Sequence, residues 1–224
     1  MKKIFSAKPV FTDPVKNLSS AELEINKWSI SEFVIHKLVP VVSCHPFPLD
    51  ELMLMTTAVC RFKPELIFEW GTNVGKSARV FYEIISTYKI NCTIHSVDLP
   101  DDVFHHEHPQ NYRGKFVKGK KDVFLYQADG LSKSIEIYKE KKPKGKVLFF
   151  VDGDHSYESV KRELSEILKA IPDAVVLLHD TFDQSDDANY NTGPIRAIRE
   201  VINGTHYRII STQGGLPGMS LVYQ

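Results

Sequence analysis

Acidic side chains follow three separate apolar runs of the sequence. Glu69, Asp98 and Asp129 come after the runs 66–68, 93–97 and 123–126. If these runs are parallel strands, the acids meet at the carboxyl-terminal edge of one sheet, where open α/β folds bind ligands. There Glu69 would attract a positively charged amino group, Asp98 would accept hydrogen bonds from ribose hydroxyls, and Asp129 with Gly130 would meet an adenine amino group. Each acid alone is more typical of a helix cap or a turn, so the interpretation depends on all three together.

A glycine loop, EWGTNVGKS at residues 69–77, joins the first of these runs to a helical pattern. Gly71 and Gly75 let the turn pass close to a ligand, because neither has a Cβ atom. The Gly-Lys-Ser ending is similar to a loop that binds nucleoside triphosphates, and Asp152 would suit the accompanying magnesium ion. Only three residues separate the two glycines, however, and Trp70 stands where the longer loop needs a glycine. The shorter loop has one backbone amide fewer for an anion, so it favours a cationic nucleoside, with a nucleotide hydrolase as the lesser alternative.

A second set of reactive side chains follows the next two apolar runs. Asp152 and His155 come after 147–151, and Asp180 comes after 174–178 with His179 directly before it. The two carboxylates would converge on one hard divalent cation such as Mg²⁺, which prefers oxygen ligands. His179 is equally well explained as a metal ligand or as a buried histidine bonded to the backbone. Histidine titrates near neutral pH, which makes His155 a candidate general base.

The elements that position these residues alternate between strands and helices. Strands are predicted at 66–68, 93–97, 123–126, 147–151 and 174–178, and two more at 207–210 and 219–223 form a terminal hairpin. Helical spacing separates the strands, with apolar positions such as Val80, Phe81 and Ile84 on one face. Continuous apolar strands between helices indicate a parallel sheet covered on both faces. We therefore predict an α/β fold: a doubly wound, mostly parallel, seven-stranded Rossmann-like sheet with an antiparallel final strand at one reversed edge.

The first 63 residues are predicted to form an N-terminal helical extension, and residues 64–224 the cofactor-binding domain. Ser19 with Glu22, and Ser29 with Glu32, have the spacing of capping boxes, and Asp50 would cap a further helix.

Residues 99–122 show no clear periodicity, which is typical of lids and binding loops. His105, His106 and His108 in this stretch suit a polar surface loop better than a metal site.

The composition excludes several classes of protein. The 224 residues include 28 Lys+Arg and 28 Asp+Glu, a formal net charge of zero, so no surface for nucleic acid is expected. No run approaches the roughly 20 apolar residues that span a bilayer, and residues 8–14 interrupt a signal-peptide core. The three cysteines have no paired spacing, which suits free thiols in a reducing cytoplasm. We expect a cytoplasmic protein without a membrane partner.

Glu-x-Gly-x-x-x-Gly followed by Ser77, then Asp98 and Asp129, resembles the class I S-adenosylmethionine (SAM)-dependent methyltransferases from about Pro64 to the end of the chain. The resemblance implies SAM as the cofactor. It assigns the ribose to Asp98 and the adenine side to Asp129 with Gly130. The glycine-loop residues that it assigns to the methionine part of SAM are Glu69, Gly71, Thr72, Asn73, Gly75 and Ser77.

The DGDH run at 152–155 and the later Asp180 resemble, more narrowly, the metal-assisted O-methyltransferases of the macrocin O-methyltransferase-like and cephalosporin-hydroxylase-like branch. This resemblance implies Asp152 and Asp180 as metal ligands, His155 as general base, and methyl transfer to a hydroxyl of a small molecule. Related enzymes often carry Asp-Asn or Glu-Asp where this chain has Asp180-Thr181 after His179, and histidine is a softer ligand than Mg²⁺ prefers.

The alternative from the same resemblance is a cofactor-binding protein that is not catalytic or catalyses a different reaction. The acceptor is a small molecule that the sequence does not identify. The N-terminal helices would line its pocket or form the contact of a homo-oligomer.

Overall fold

The computed structural model describes residues 10–103, 112–185, 187 and 191–224. Within these ranges seven strands form one sheet: β1 (Leu66–Trp70), β2 (Thr93–Asp98), β3 (Val123–Gln127), β4 (Val147–Val151), β5 (Val175–His179), β6 (Arg208–Ser211) and β7 (Met219–Tyr223). Their order is β3-β2-β1-β4-β5-β7-β6. Strands β1 to β5 pair in parallel. The predicted doubly wound, mostly parallel Rossmann-like sheet is confirmed.

The reversed strand is not at the edge of the sheet. β7 runs antiparallel to both β5 and β6, which confirms the antiparallel final strand, but it lies between them and leaves β6 as the edge. The expectation of a reversed edge was therefore wrong. β7 takes the inner place because every one of its residues is buried, whereas β6 is only partly buried.

Helices cover both faces of the sheet. One face carries α1 (Lys27–Phe33), α2 (Val39–Val42), α3 (Leu49–Phe62) and α4 (Lys76–Tyr88), and the other carries α5 (Gly130–Lys141), α6 (Tyr157–Ala170) and α7 (Gly193–Ile202). A π-helical turn, Val34–Leu38, joins α1 to α2. Successive strand residues enter opposite layers, so Phe150 packs with the first group of helices while Phe149 and Val151 pack with the second.

The N-terminal region is helical from residue 27, but the expected helix caps are wrong. The Ser19 box lies in the non-helical stretch 10–26. The Ser29 box lies inside α1, which begins earlier because Asn26 accepts a hydrogen bond from the backbone N–H of Ser29 at 3.3 Å. Asp50 belongs to the first turn of α3 and does not cap it.

Apolar side chains of α1 and α3 share one core with the sheet. The division at residue 63 stays a prediction. None of the described helices combines the length and apolar character needed to cross a bilayer.

Candidate active site

The glycine loop passes directly against the loop that follows β4. Gly71 has a φ of 91°, and a Cβ atom built on it would lie 2.3 Å from the backbone carbonyl oxygen of Asp152. Only glycine fits both this backbone conformation and this contact. The N–H of Gly71 donates to the carbonyl of Val97 at 2.9 Å. These contacts hold the predicted cofactor loop beside the predicted catalytic residues.

Glu69 is the penultimate residue of β1 and is fully buried. Its predicted attraction to a positively charged amino group stays a prediction. The strand continues to Trp70, which keeps Glu69 out of the loop. Ser77 donates a hydrogen bond to Oε1 of Glu69, and burial raises the pKa of the Glu69 carboxyl to about 7. Burial therefore favours the neutral form of this carboxyl over its charged form. Its hydrogen bond ties the first turn of α4 to the sheet.

The remaining loop residues divide into buried and exposed ones. Thr72 is buried, with its Oγ1 2.6 Å from Oγ of Ser96 in β2. Gly75 is also buried, and its N–H donates to the carbonyl of Thr72 at 2.7 Å. Asn73 is exposed. The loop therefore offers a ligand the side chain of Asn73 and the partly exposed backbone at Gly71.

Asp98 ends β2 and is held from two sides. Oδ2 of Asp98 accepts hydrogen bonds from the backbone N–H of Asn73 at 3.1 Å and from Nε of Arg113 at 2.9 Å. Oδ1 accepts the N–H of Leu99 at 3.0 Å. Arg113 carries no motif in the sequence and was not predicted. Asp98 thus stands at the rim of the glycine loop, and its assignment to ribose stays a prediction.

Residues 112–117, part of the stretch predicted as a lid or binding loop, pack on the glycine loop. The N–H groups of Gly114 and Phe116 donate to the carbonyls of Asn73 at 2.9 Å and Val74 at 3.0 Å. Nη1 of Arg79, in α4, donates to the carbonyl of Phe116 at 2.9 Å. His105, His106 and His108 lie outside the described residues.

Asp129 caps α5, the alternative that its sequence position left open. Its Oδ1 accepts the N–H of Ser132 at 2.8 Å. The Ser132 side chain, and to a smaller extent this backbone N–H, hold the pKa of Asp129 below its ordinary value by hydrogen bonding to the carboxylate. A Cβ on Gly130 would lie 2.7 Å from the ring of Trp70, which in turn donates from Nε1 to Ser134 Oγ at 2.8 Å. Asp129 and Gly130 thus stand at the carboxyl-terminal edge of the sheet, next to the indole of Trp70.

Asp152, His155 and Asp180 converge at this same edge, as predicted. Nε2 of His155 lies 3.3 Å from Oδ2 of Asp180 and 3.8 Å from Oδ1 of Asp152. Nδ2 of Asn191 donates to Oδ2 of Asp180 at 2.8 Å. The His155 side chain is 22% exposed, so a ligand can reach it.

His179, which the sequence left undecided, is buried beneath these residues and bonded to side chains. Its Nδ1 is 2.9 Å from Oδ1 of Asp152, and its Nε2 is 3.1 Å from Oε2 of Glu51. Burial alone would lower the pKa of His179, but the carboxylates of Asp152 and Glu51 hold it well above its ordinary value.

Glu51 was missed at the level of sequence. It lies in α3 and is 1% exposed. A charged residue beside Leu52 and near Met55 on the buried face of a helix is the signal that would have singled it out.

The described residues do not fit a Mg²⁺ site. Within the ranges that the structure covers, no group of three or more His, Cys, Asp or Glu side chains is arranged to hold a metal ion. Mg²⁺ prefers oxygen ligands in octahedral geometry, whereas the carboxylates of Asp152 and Asp180 face the imidazole nitrogens of His155 and His179. Metal binding by Asp152 and Asp180 stays a prediction, and this donor set does not support it.

The family model described as rhamnosyl O-methyltransferase/CmcI matches residues 40–211. The chain belongs to this family. The match confirms the resemblance to SAM-dependent methyltransferases of this branch and, at the level of the family, the predicted enzyme class of O-methyltransferase. It leaves the nucleotide-hydrolase alternative without support.

Solved structures of O-methyltransferases have the same fold as this family member. The O-methyltransferase from Bacillus cereus in complex with SAH has a TM-score of 0.55 and 14% identity, covering 87% of this chain and 90% of that one. CalS11, a TDP-rhamnose 3′-O-methyltransferase of calicheamicin biosynthesis, has a TM-score of 0.53 and 16% identity, covering 88% and 92%. TomG from Streptomyces achromogenes in complex with SAM has a TM-score of 0.53 and 13% identity, covering 92% and 90%. No curated protein is significantly similar in sequence.

Proposed function

We propose that this chain transfers the methyl group of SAM to a hydroxyl oxygen of a small molecule, with His155 as general base. The observation that carries the proposal is the contact between Gly71 and the backbone of Asp152. It joins the glycine loop to the cluster of carboxylates and histidines, so the two parts that methyl transfer needs share one edge of the sheet. Membership of an O-methyltransferase family supports the same conclusion.

The residues at this edge fit SAM. Oδ2 of Asp98 already accepts two hydrogen bonds within the protein, whereas Oδ1 accepts one and would accept another from a ribose hydroxyl. Asp129 caps α5 through Oδ1 and would contact the adenine amino group. Gly71 and Asn73 would contact the methionine part. SAM, when bound, supplies a methyl group that its sulfonium already activates.

The chain's own task is to deprotonate and direct the acceptor. His155 is partly exposed and takes the hydroxyl proton. Asp152 and Asp180 lie within 4 Å of its Nε2 and favour the imidazolium that forms. General base catalysis of this kind contributes roughly 10² to 10⁴ in rate. The reaction therefore requires a neutral imidazole of His155 and a positioned hydroxyl. In this mechanism the carboxylates and imidazoles of the described residues act without a metal ion.

The description of the family supports one class of acceptor. Its description names a rhamnosyl acceptor, and CalS11 is described as acting on TDP-rhamnose. We propose a hydroxyl of a deoxysugar as the acceptor to test first.

The test is transfer of labelled methyl from SAM to TDP-rhamnose and other hydroxylated small molecules. We expect His155→Ala to lower kcat at least about tenfold, with the Kd for SAM changed less than about twofold. The matched control is His36→Ala, at an exposed histidine outside the site. Unchanged turnover in His155→Ala would remove this residue as the base. SAM binding without transfer to any hydroxyl would favour the non-catalytic alternative.

A further inference from the structure

Glu51 is a buried acid in a helix far along the chain from the other site residues. It is 1% exposed on α3, surrounded by apolar residues of the helix layer. Burial of a charged group is costly unless it is paired and hydrogen-bonded. Its partner is His179, whose Nε2 lies 3.1 Å from Oε2 of Glu51.

The His179 ring is fixed on each side. Glu51 faces Nε2, and Oδ1 of Asp152 lies 2.9 Å from Nδ1. The ring of Phe47 packs edge-on against the imidazole with centroids 5.1 Å apart. A histidine held through both nitrogens has one ring orientation, because rotation would break both hydrogen bonds.

Asp152 connects His179 to the general base His155. The oxygen that contacts His179 is the same Oδ1 that lies 3.8 Å from Nε2 of His155. Outer residues that orient the groups in contact with a ligand are known to affect activity strongly. The contacts therefore run without a break from α3, through Glu51, His179 and Asp152, to His155.

We propose that Glu51 is a positioning residue of the methyl-transfer site, acting through His179 on Asp152 and His155. This inference rests on the proposed methyl transfer with His155 as base. Among the described residues, the side-chain hydrogen bond of Glu51 goes to His179 and none goes to the glycine loop. We therefore expect Glu51 to affect turnover and the acceptor but not SAM binding.

The test compares two variants of similar size. Glu51→Gln keeps an oxygen that accepts a hydrogen bond from His179, and we expect its kcat to stay within about threefold of the wild type. Glu51→Leu has no acceptor, and we expect its kcat to fall at least about tenfold while the Kd for SAM changes less than about twofold. The control for general destabilisation is Thr56→Val, which removes a buried hydrogen bond to the Leu52 carbonyl in the same helix. Its kcat should be unchanged.

Two further measurements keep the outcome clear if Glu51→Leu folds poorly. Adding Glu51→Asp to a His179→Asn variant should cause no further loss of kcat, because the contact that the shorter carboxylate loses is already gone. In a crystal structure of Glu51→Gln, His179 should keep its contact with Asp152. Glu51→Asp has a side chain one methylene shorter, and its kcat should fall more than that of Glu51→Gln.

Normal kcat in a folded Glu51→Leu, or a larger loss in Glu51→Gln than in Glu51→Asp, would overturn the proposal. Failure of the proposed function gives a different result, since the wild type itself would then transfer no methyl group.

Discussion

Replacing Glu69 by glutamine tests how the fold accommodates the acid beneath the glycine loop. Glu69 is fully buried, and burial raises the pKa of its carboxyl from 4.5 to about 7. A carboxyl whose pKa is raised by folding stabilises the fold below its unfolded pKa, and this contribution is lost as the pH rises through the folded pKa. The wild type should therefore lose stability between about pH 4.5 and pH 7 through this group. The glutamine variant has no such dependence.

The size of the effect follows from the same two pKa values. One pKa unit corresponds to about 1.4 kcal/mol, so the rise from 4.5 to about 7 corresponds to at most roughly 3 kcal/mol at high pH. Between pH 5 and pH 8 most of this range is crossed. We expect the free energy of unfolding of Glu69→Gln, relative to the wild type, to rise by roughly 2 kcal/mol over that interval.

Urea unfolding of both proteins at pH 5 and pH 8 measures this difference. Subtracting the wild type removes the titration of all other groups. The control is Glu32→Gln, at an exposed position of α1, which should change the relative stability by less than about 0.5 kcal/mol. A Glu69→Gln difference that is the same at both pH values would refute the conclusion that burial keeps this carboxyl protonated near neutral pH.

Three other changes test the neighbouring residues. Asp98→Asn should weaken SAM binding at least about tenfold by calorimetry, because hydrogen bonds to a charged group are stronger. The control Asp101→Asn also loses an ion pair with Arg113 but should leave the Kd for SAM within about twofold of the wild type. Equal effects of the two substitutions would show that Asp98 does not contact ribose. Gly71→Ala should lower the free energy of unfolding by at least about 2 kcal/mol in urea titrations, since its Cβ would lie 2.3 Å from a backbone oxygen; a variant as stable as the wild type would be inconsistent with this contact. Dialysis against EDTA should leave methyl transfer within about twofold, and loss of activity that Mg²⁺ restores would show that the carboxylates rearrange to bind a metal.

The sheet was predictable because its central strands β1, β4 and β5 are mostly apolar. Runs such as 147–151 are buried on both faces, and helices of clear spacing separate them. The place of β7 was not predictable, because a terminal hairpin has the same sequence pattern whichever strand lies inside. The end of β1 was predicted too early, because the apolar run appeared to end at Phe68, whereas the strand continues through Glu69 to Trp70.

The site was predictable where neighbouring strand ends bring residues together. Asp152, His155 and Asp180 follow the adjacent strands β4 and β5, and the parallel pairing alone places them at one edge. The positions of Glu51 and Arg113 depend on tertiary packing and not on strand ends. The packing of α3 on the sheet places Glu51, and the path of residues 112–117 over the glycine loop places Arg113. Such tertiary contacts have no characteristic residue spacing that could be recognised in the sequence.

Calorimetric titration of the purified protein with SAM, with ATP as competitor, most directly tests the claim that this edge of the sheet is a SAM site. We expect one SAM to bind per chain, SAH to displace it, and ATP to have no effect on either. Binding of ATP by a protein that shows no affinity for SAM or SAH would contradict the account.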